Sequence, residues 1–229
     1  MNRTNAESVK IETDVYAAYE KWSETYDAQL NTTRDLSTLV LRRLVPELKG
    51  LTVVEGGCGT GTNSLWLAPR CRQLIGLDFS DGMLRIAKHK VRLPHVQFIR
   101  HDIREPWPLG RATADLVLIN LVLEHIEVLE PVFRHAAQVM RPGALLIISE
   151  LHPDRVAVGA RARIKRAREE EDEGIINFVH PVGDFVDAAN AAGLRLESSA
   201  GWPKHLLGDR QVDADDFEPL ILSLCFEKP

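Results

Sequence analysis

The stretch VVEGGCGTG, Val53–Gly61, decides the fold class that this sequence predicts. Two apolar β-branched residues lead into an acid, Glu55, and into a loop with glycines at every second position. A glycine loop between a buried strand and a helix lets a ligand approach the backbone closely. Loops of this kind usually hold the phosphates of a nucleotide, but a carboxylate at the lip of the loop would repel a phosphate. The stretch therefore predicts a nucleotide-type fold whose ligand carries positive charge beside Glu55.

Short apolar segments alternate with helical segments after this loop. We expect strands at LTVVEG, QLIGLD, VQFIRHD, DLVLIN and ALLIISE, with helices at 60–69, 81–91 and 127–140. This alternation is typical of βαβ units and of a parallel sheet buried on both faces. The chain then continues with a helix at 183–192 and two strands, LRLES and PLILSLCF, without a helix between them. The sequence thus predicts a doubly wound, Rossmann-like α/β fold with seven strands, mostly parallel with an antiparallel last strand.

The length of 229 residues predicts one domain. We expect a helical N-terminal cover at 1–49, a core at 50–150, a lid or acceptor segment at 151–181, and a C-terminal helix and strands at 182–229. In the cover, helices are predicted at 8–30 and from Asp35 to about Pro46, the second capped by Thr32 and Thr33. Residues 160–180 fit either a charged surface helix or a hairpin, and the β-branched IINFVH half favours the hairpin.

Charge and cysteine content narrow the classes of partner. A net charge of -5 argues against binding to nucleic acid or to an anionic membrane. No apolar run approaches the roughly 20 residues of a membrane span, and the polar start of the chain lacks a signal segment. The 3 cysteines have no CxxC spacing, which predicts free thiols in a reducing compartment and no zinc site. We expect a cytoplasmic protein without a metal.

The loop and four later segments together resemble class I S-adenosylmethionine-dependent methyltransferases. The later segments are IGLDFSDGML, RHDI, DLVLINLVLEHI and RPGALLIISE, in the order that the family has them. The resemblance is dense over 50–150 and loose in the flanks. It implies S-adenosylmethionine as cofactor, a ligand with a sulfonium, an ammonium and no phosphate, which suits an acid beside the loop.

The resemblance also implies roles for individual residues. Asp78 would bind the ribose hydroxyls, Phe79 or Met83 would contact adenine, and Asp102 with Ile103 would hold the adenine amine and ring. Tyr26 would donate to the methionine carboxylate of the cofactor or lie at the edge of the methyl channel, and Arg34 would pair with that carboxylate. The complete set of expected cofactor-binding residues is Tyr26, Arg34, Glu55, Gly56, Gly57, Cys58, Gly59, Gly61, Asp78, Phe79, Met83, Asp102, Ile103 and Asn120.

Candidate catalytic residues follow the predicted strands four and five. An oxygen acceptor needs a base, and the resemblance to natural-product O-methyltransferases implies His125 as that base and Glu150 as its partner or as an acceptor-binding group. His152 and His180 are further candidates in the lid segment. Each histidine can alternatively be structural, and the aromatic stripe of Tyr16, Tyr19 and Trp22 is interpreted mainly as packing. Phe178 and Trp202 are candidates for lining an acceptor pocket.

The acceptor class follows from motifs that are missing. No prolines and no stacking aromatic follow Asn120, unlike the (D/N)PPY motif of DNA methyltransferases, and the paired-glutamate loop of arginine methyltransferases is missing. A small-molecule acceptor, free or tethered to a carrier, is therefore expected, with O-methylation favoured over N- or C-methylation. Two other classes stay open: an NAD(P)-dependent oxidoreductase and a non-catalytic cofactor-binding protein with this fold.

Overall fold

The computed structural model describes residues 15–160, 163–164, 173–208 and 218–229. Expectations for the remaining residues, including the start of the helix at 8–30, lie outside the described residues. The strands are β1 (Thr52–Gly56), β2 (Gln73–Asp78), β3 (Val96–Arg100), β4 (Ala114–Asn120), β5 (Met140–Leu151), β6 (Arg163–Ile164), β7 (Glu173–Gly174), β8 (Arg195–Pro203) and β9 (Pro219–Glu227). The helices are α1 (15–22), α2 (Thr32–Leu44), α3 (Thr62–Leu67), α4 (Asp81–Lys90), α5 (Glu130–Val139), α6 (Pro153–Ala157) and α7 (Val182–Ala191).

Seven strands form one sheet in the order β3-β2-β1-β4-β5-β9-β8. The first five strands pair in parallel with their neighbours, and β9 runs antiparallel between β5 and β8. The doubly wound, mostly parallel sheet with an antiparallel last strand is therefore confirmed. Because the strand order reverses between β1 and β4, a crevice opens at their carboxyl ends, where open α/β sheets bind ligands.

The apolar run of β4 explains why this sheet is buried on both faces. Val117 and Ile119 point into a core with α5 and α7, whereas Leu116 and Leu118 point into a second core with α2 and α3. Successive side chains of a strand alternate between faces, so a strand covered on both sides has to be apolar at every position. The sheet is thereby rigid at the edge where the functional residues emerge.

Several boundaries differ from the expectation. Helix α2 begins at Thr32 because the side chain of Asn31 accepts a hydrogen bond from the Arg34 amide at 2.9 Å, so Asn31 and not the threonine pair is the cap. Helix α1 ends at residue 22 instead of continuing to 30, and turns follow. There the Ser23 hydroxyl donates to the Glu20 carbonyl at 2.7 Å and competes with the helical ladder.

Residues 141–143, the RPG of the segment RPGALLIISE, lie in an irregular stretch within β5. Met140 pairs with Ala114, and Leu145 pairs with Leu116. Between these two pairs β5 advances by five residues while β4 advances by two, which is a β-bulge in β5. In the lid segment, β6 and β7 pair antiparallel, so part of the favoured hairpin is present. The IINFVH half that favoured it, residues 175–180, forms no strand. The short helix α6 before the hairpin was not expected. The helix expected at 127–140 begins at Glu130 instead, because a 3₁₀ turn, Leu123–His125, and a loop come first.

Candidate active site

A cavity of about 900 Å³ lies at the carboxyl ends of β1–β4, beneath α1 and the lid segment. Its volume is at the upper end of the range for ligand pockets, which are roughly 300–1,000 Å³. The loops after the strands, the aromatic side chains of α1 and Phe178 of the lid segment form its walls. The cavity thus occupies the position at which the crevice of a doubly wound sheet takes a ligand.

The structure brings most of the expected residues together in this cavity. Those that line it are Tyr26, Gly57, Gly59, Asp78, Phe79, Met83, Asp102, Ile103, Asn120 and His125. The expected residues outside its lining are Arg34, Glu55, Gly56, Cys58, Gly61, Glu150, His152 and His180. The glycine loop, the ends of β2–β4 and one histidine therefore share a single space.

The positions of the loop require glycine for different structural reasons. Gly57 has φ +73°, and a Cβ there would lie 2.3 Å from Val122 Cγ2, so a side chain would clash. Gly61 has φ +75° at the start of α3, where a Cβ would lie 3.1 Å from the Cβ of Ala87. Gly59 has φ +53° and nothing within 4 Å of a Cβ, so the space above it is open to a ligand. Gly59 is therefore the close-approach position of the loop.

Asp78 ends β2 with its carboxyl group facing this open space. Its Oδ2 accepts the Gly59 amide at 2.7 Å and its Oδ1 accepts the Ser80 amide at 2.9 Å. Burial raises the pKa of Asp78 to about 6, against the lowering effect of these amides. Since each carboxylate oxygen has two acceptor sites, one on each oxygen remains for a diol. Asp78 and the space above Gly59 therefore fit the ribose of an adenosyl cofactor.

Asp102 lies at the edge of the same cavity. Its carboxylate holds the Arg104 guanidinium, with Nε of Arg104 2.9 and 3.0 Å from the two oxygens. Burial would raise the pKa of Asp102, but hydrogen bonds and charge from Arg104 outweigh it and lower the pKa. Asp102 is therefore a fixed carboxylate beside Ile103, the pair that the resemblance expects at the adenine.

Glu55 lies behind the glycine loop, not at its lip. Only 2% of its surface is exposed, and the Ser64 hydroxyl of α3 donates to its Oε2 at 2.5 Å. Burial raises the pKa of Glu55 to about 7. Cys58 is also buried, and burial raises the pKa of its thiol. Both side chains pack under the loop, so they act on a ligand through the loop and not by contact.

Arg34 stabilises the cover instead of facing the cavity. Its guanidinium donates to the carbonyl oxygens of Tyr26 and Gln29, each at 2.6 Å, and lies 5.0 Å from the centre of the Tyr26 ring. The Tyr26 ring, which does line the cavity, is therefore held in place by Arg34.

His125 forms a hydrogen bond that the sequence did not reveal. Its Nε2 lies 2.7 Å from the Tyr19 hydroxyl of α1, and its Nδ1 lies 2.9 Å from the carbonyl of Ile176. The carbonyl can only accept, so Nδ1 carries the proton and Nε2 accepts from Tyr19. Burial lowers the pKa of His125 to about 4 and raises that of Tyr19. Both side chains line the cavity, so a neutral imidazole whose Nε2 carries no proton adjoins its interior.

The lid segment is attached to the turn that carries His125. The Phe178 amide donates to the Glu124 carbonyl at 2.7 Å, and Nε2 of His180 lies 2.8 Å from the Ile126 carbonyl. These bonds bring Phe178 into the cavity wall, while His180 stays buried behind it. Trp202, the other candidate for the pocket, instead donates to the Ser223 hydroxyl at 2.7 Å between β8 and β9.

Glu150 and His152 have local bonding partners outside the cavity. Oε1 of Glu150 accepts the amides of Val122 and Leu123 at 3.0 and 3.1 Å, which holds the turn after β4 in place. His152 caps α6, where its Nδ1 accepts the Asp154 amide at 3.4 Å. The sequence indicates mainly a packing role for Tyr19, yet Tyr19 lines the cavity. The aromatic stripe indicated the buried face of α1, but it did not reveal that the Tyr19 hydroxyl bonds to His125.

The described residues contain neither a membrane-spanning helix nor a metal-binding cluster. Within the described ranges, no helix is long and apolar enough to cross a membrane. Across the same ranges, no group of three or more His, Cys, Asp or Glu side chains is arranged to hold a metal ion. The cavity is therefore the feature of the described chain on which we base the function.

Fold and cavity together define a Rossmann-like protein with a site that fits an adenosyl cofactor, and comparisons with known proteins identify the class. A model of the methyltransferase domain family matches residues 54–148. An uncharacterized methyltransferase of Emericella nidulans is 30% identical over 249 residues, covering 92% of this chain and 86% of the relative. A malonyl-[acyl-carrier protein] O-methyltransferase of a Methylovorus species is 30% identical over 196 residues, covering 80% of this chain and 65% of that protein.

Among solved structures, a putative S-adenosylmethionine-dependent methyltransferase from Listeria monocytogenes has the same fold. Its TM-score is 0.70 at 18% identity, over 86% of this chain and 99% of the other. The chain belongs to the class I S-adenosylmethionine-dependent methyltransferases. Its cofactor is S-adenosylmethionine, as the resemblance implied, and the oxidoreductase alternative is set aside. The expectation that the Glu55 carboxylate faces a positive charge at the lip of the loop was wrong, because Glu55 is buried behind the loop.

Proposed function

We propose that this protein methylates an oxygen atom of a small-molecule acceptor, with His125 as the general base. The observation that carries the proposal is the hydrogen bond between Tyr19 and Nε2 of His125 at the wall of the cavity. A neutral imidazole beside the cofactor cavity is the group that an acceptor hydroxyl needs for deprotonation.

The cofactor end of the cavity is built from the loop and the strand ends. Asp78 would bind the ribose hydroxyls, Gly59 would allow the close approach of the cofactor, and Phe79, Met83 and Ile103 would enclose the adenine. Bound S-adenosylmethionine supplies the methyl group on a positively charged sulfur. The chain's own task is to hold an acceptor atom roughly 3–3.5 Å from that methyl group and to exclude water.

At the acceptor end, Tyr19 connects the cavity with His125. Because Tyr19 donates its only proton to Nε2, its oxygen can accept the hydrogen bond of an acceptor hydroxyl. As the new O–C bond forms and the S–C bonding pair stays on sulfur, the acceptor proton passes to Tyr19 and the Tyr19 proton passes to His125. Its high pKa keeps Tyr19 protonated between turnovers.

The identity of the relatives supports a carrier-tethered acceptor as one form of this substrate. The Methylovorus relative is an O-methyltransferase of a malonyl group on an acyl carrier protein. Val128 in the cavity lining is an exposed apolar residue, and so are Ile176 and Val179 beside Phe178, which suits the apolar part of an acyl or aryl group. We take the chain as a single domain in which residues 151–181 form the acceptor lid. We place the reaction in the cytoplasm, because free thiols such as Cys58, Cys71 and Cys225 persist in a reducing compartment.

An activity screen against a metabolite panel, with detection of S-adenosylhomocysteine, tests the proposal. An oxygen-methylated product is expected, and His125→Ala should lower kcat about 10²-fold or more. His89→Ala is the matched control, because His89 is an exposed histidine on α4. An amine product, or wild-type turnover of His125→Ala on a hydroxyl acceptor, would contradict the proposal. A carboxylate acceptor that needs no base would retain the O-methylation but remove the role of His125.

A further inference from the structure

We propose that the carboxyl group of Glu124, supported by Glu150, receives the acceptor proton from His125 and balances the charge of the bound cofactor before transfer. The proposal rests on the proposed function, since it requires cofactor in the cavity and His125 as the first base. Glu124 acts through His125 and does not line the cavity.

Glu124 is placed directly behind the base. It precedes His125 in the 3₁₀ turn after β4, and its Oε1 lies 3.7 Å from Nε2 of His125. This is the nitrogen that accepts from Tyr19 in the structure. A proton on Nε2 therefore has a carboxyl oxygen within a small side-chain movement, and the lid amide on the Glu124 carbonyl holds the turn in place.

Glu124 and Glu150 form a buried pair of carboxyl groups with unused oxygens. Among the described residues, Oε2 of Glu124 and Oε2 of Glu150 are buried without a hydrogen-bond partner. Oε1 of Glu150 is bound to the backbone of the same turn. An ionised carboxylate without a partner in such surroundings is costly, so the pair holds protons while the cavity is empty.

The pKa values of the pair agree with this geometry. Burial raises the pKa of Glu124 to about 7. Burial and the neighbouring Glu124 charge raise the pKa of Glu150 to about 8. The other titratable groups beside the pair are Tyr19 on α1 and His125 on the turn, and Asp78 acts on Tyr19. Tyr19 stays protonated and His125 stays neutral, so the groups near this end of the cavity that a cation can ionise are the carboxyl pair and Asp78. Asp78 lines the cavity, but its pKa of about 6 leaves it mostly ionised at pH 7, so the pair has more protons to lose there.

Charge balance gives Glu124 its role. With cofactor bound, the positive sulfur is balanced at the acceptor end of the cavity by the Glu124 carboxylate, while Asp78 stays ionised at the ribose end. After transfer sulfur is uncharged, and the acceptor proton on Nε2 of His125 faces the same carboxylate. When that proton moves to Oε1 of Glu124, imidazole and carboxyl are both uncharged. At no stage does the acceptor end of the cavity hold a charge without a counter-charge.

Calorimetry can test this without a known acceptor. Titrations with S-adenosylmethionine and with S-adenosylhomocysteine, in two buffers of different protonation enthalpy, measure the protons released on binding. The two ligands differ by the sulfonium charge. At pH 7 the sulfonium ligand should release about 0.4 proton more, if its charge raises the acid dissociation constant of Glu124 tenfold. Glu124→Gln should remove most of this difference, and Glu130→Gln, which removes an exposed carboxyl on α5, should keep it.

The outcomes separate this proposal from the proposed function. Equal proton release by both ligands in the wild-type protein overturns the role of Glu124, while binding itself still supports the cofactor site. A difference that persists undiminished in Glu124→Gln also overturns it. If Glu124→Gln does not fold, Glu124→Asp and a pH series on the wild-type protein decide. The difference in proton release between the two ligands should be largest between about pH 6 and 7 and should vanish below about pH 5. Failure of both ligands to bind would remove the proposed function together with this one.

Discussion

Glu55→Gln should stabilise the ligand-free protein at pH 8 and have little effect at pH 5. The Glu55 carboxyl is buried beneath the glycine loop, and its pKa rises from the ordinary 4.5 to about 7 because burial disfavours the ionised form. The folded protein therefore binds the proton more tightly than the unfolded chain, and the free energy of unfolding falls as the pH rises from 4.5 to 7. Glutamine has the same shape, keeps an acceptor for Ser64 and cannot ionise.

The two pKa values set the size of this effect. Linkage predicts that ionisation of Glu55 lowers the free energy of unfolding by about 0.8 kcal/mol at pH 5 and by about 3 kcal/mol at pH 8. The second figure is an upper value, because a buried carboxyl can relax or admit water. The gain from Glu55→Gln should therefore be about 2 kcal/mol larger at pH 8 than at pH 5.

Urea unfolding followed by circular dichroism at both pH values measures the difference directly. Glu47→Gln is the matched control, since Glu47 is exposed and should give no pH-dependent gain. A Glu55→Gln protein that is equally stabilised at pH 5 and pH 8, or destabilised at pH 8, would refute the assignment of Glu55 as a carboxyl that folding protonates.

Four other substitutions test the site. Asp78→Asn should weaken binding of S-adenosylhomocysteine about 10-fold or more through loss of charge-assisted hydrogen bonds, and an unchanged Kd in a calorimetric titration would remove Asp78 from the ribose site. Gly57→Ala should lower the free energy of unfolding by about 2–4 kcal/mol, since a Cβ would lie 2.3 Å from Val122 Cγ2. Gly59→Ala, with open space at its Cβ, should lose less stability but most ligand binding. A larger loss of stability in Gly59→Ala than in Gly57→Ala would contradict the division of roles in the loop. Tyr19→Phe should lower kcat about 10–100-fold with the fold intact by circular dichroism, whereas full activity would leave Tyr19 as packing.

The sequence predicted the sheet because burial on both faces requires long apolar runs. DLVLIN reads as a strand for that reason, and the two final strands without a helix between them predicted the antiparallel arrangement of β9. The same information did not set the end of α1 or the cap of α2. Both helix boundaries depend on single hydrogen bonds, from Ser23 to Glu20 and from Arg34 to Asn31. Neighbouring residues, such as Thr32 and Thr33 at the start of α2, could form similar bonds, so the local sequence does not select one of them.

What the sequence by itself determined was the set of residues at the carboxyl ends of the strands. Gly59, Asp78 and Asp102 line one cavity because parallel strands end at the same edge of the sheet. The tertiary structure alone decided the partners of residues that meet from distant segments. It placed Glu55 behind the loop, brought Tyr19 to His125 across 106 positions of the chain, and set Glu124 against Glu150. Such contacts depend on how α1, the turn after β4 and β5 pack together, and no local pattern of residues encodes that packing.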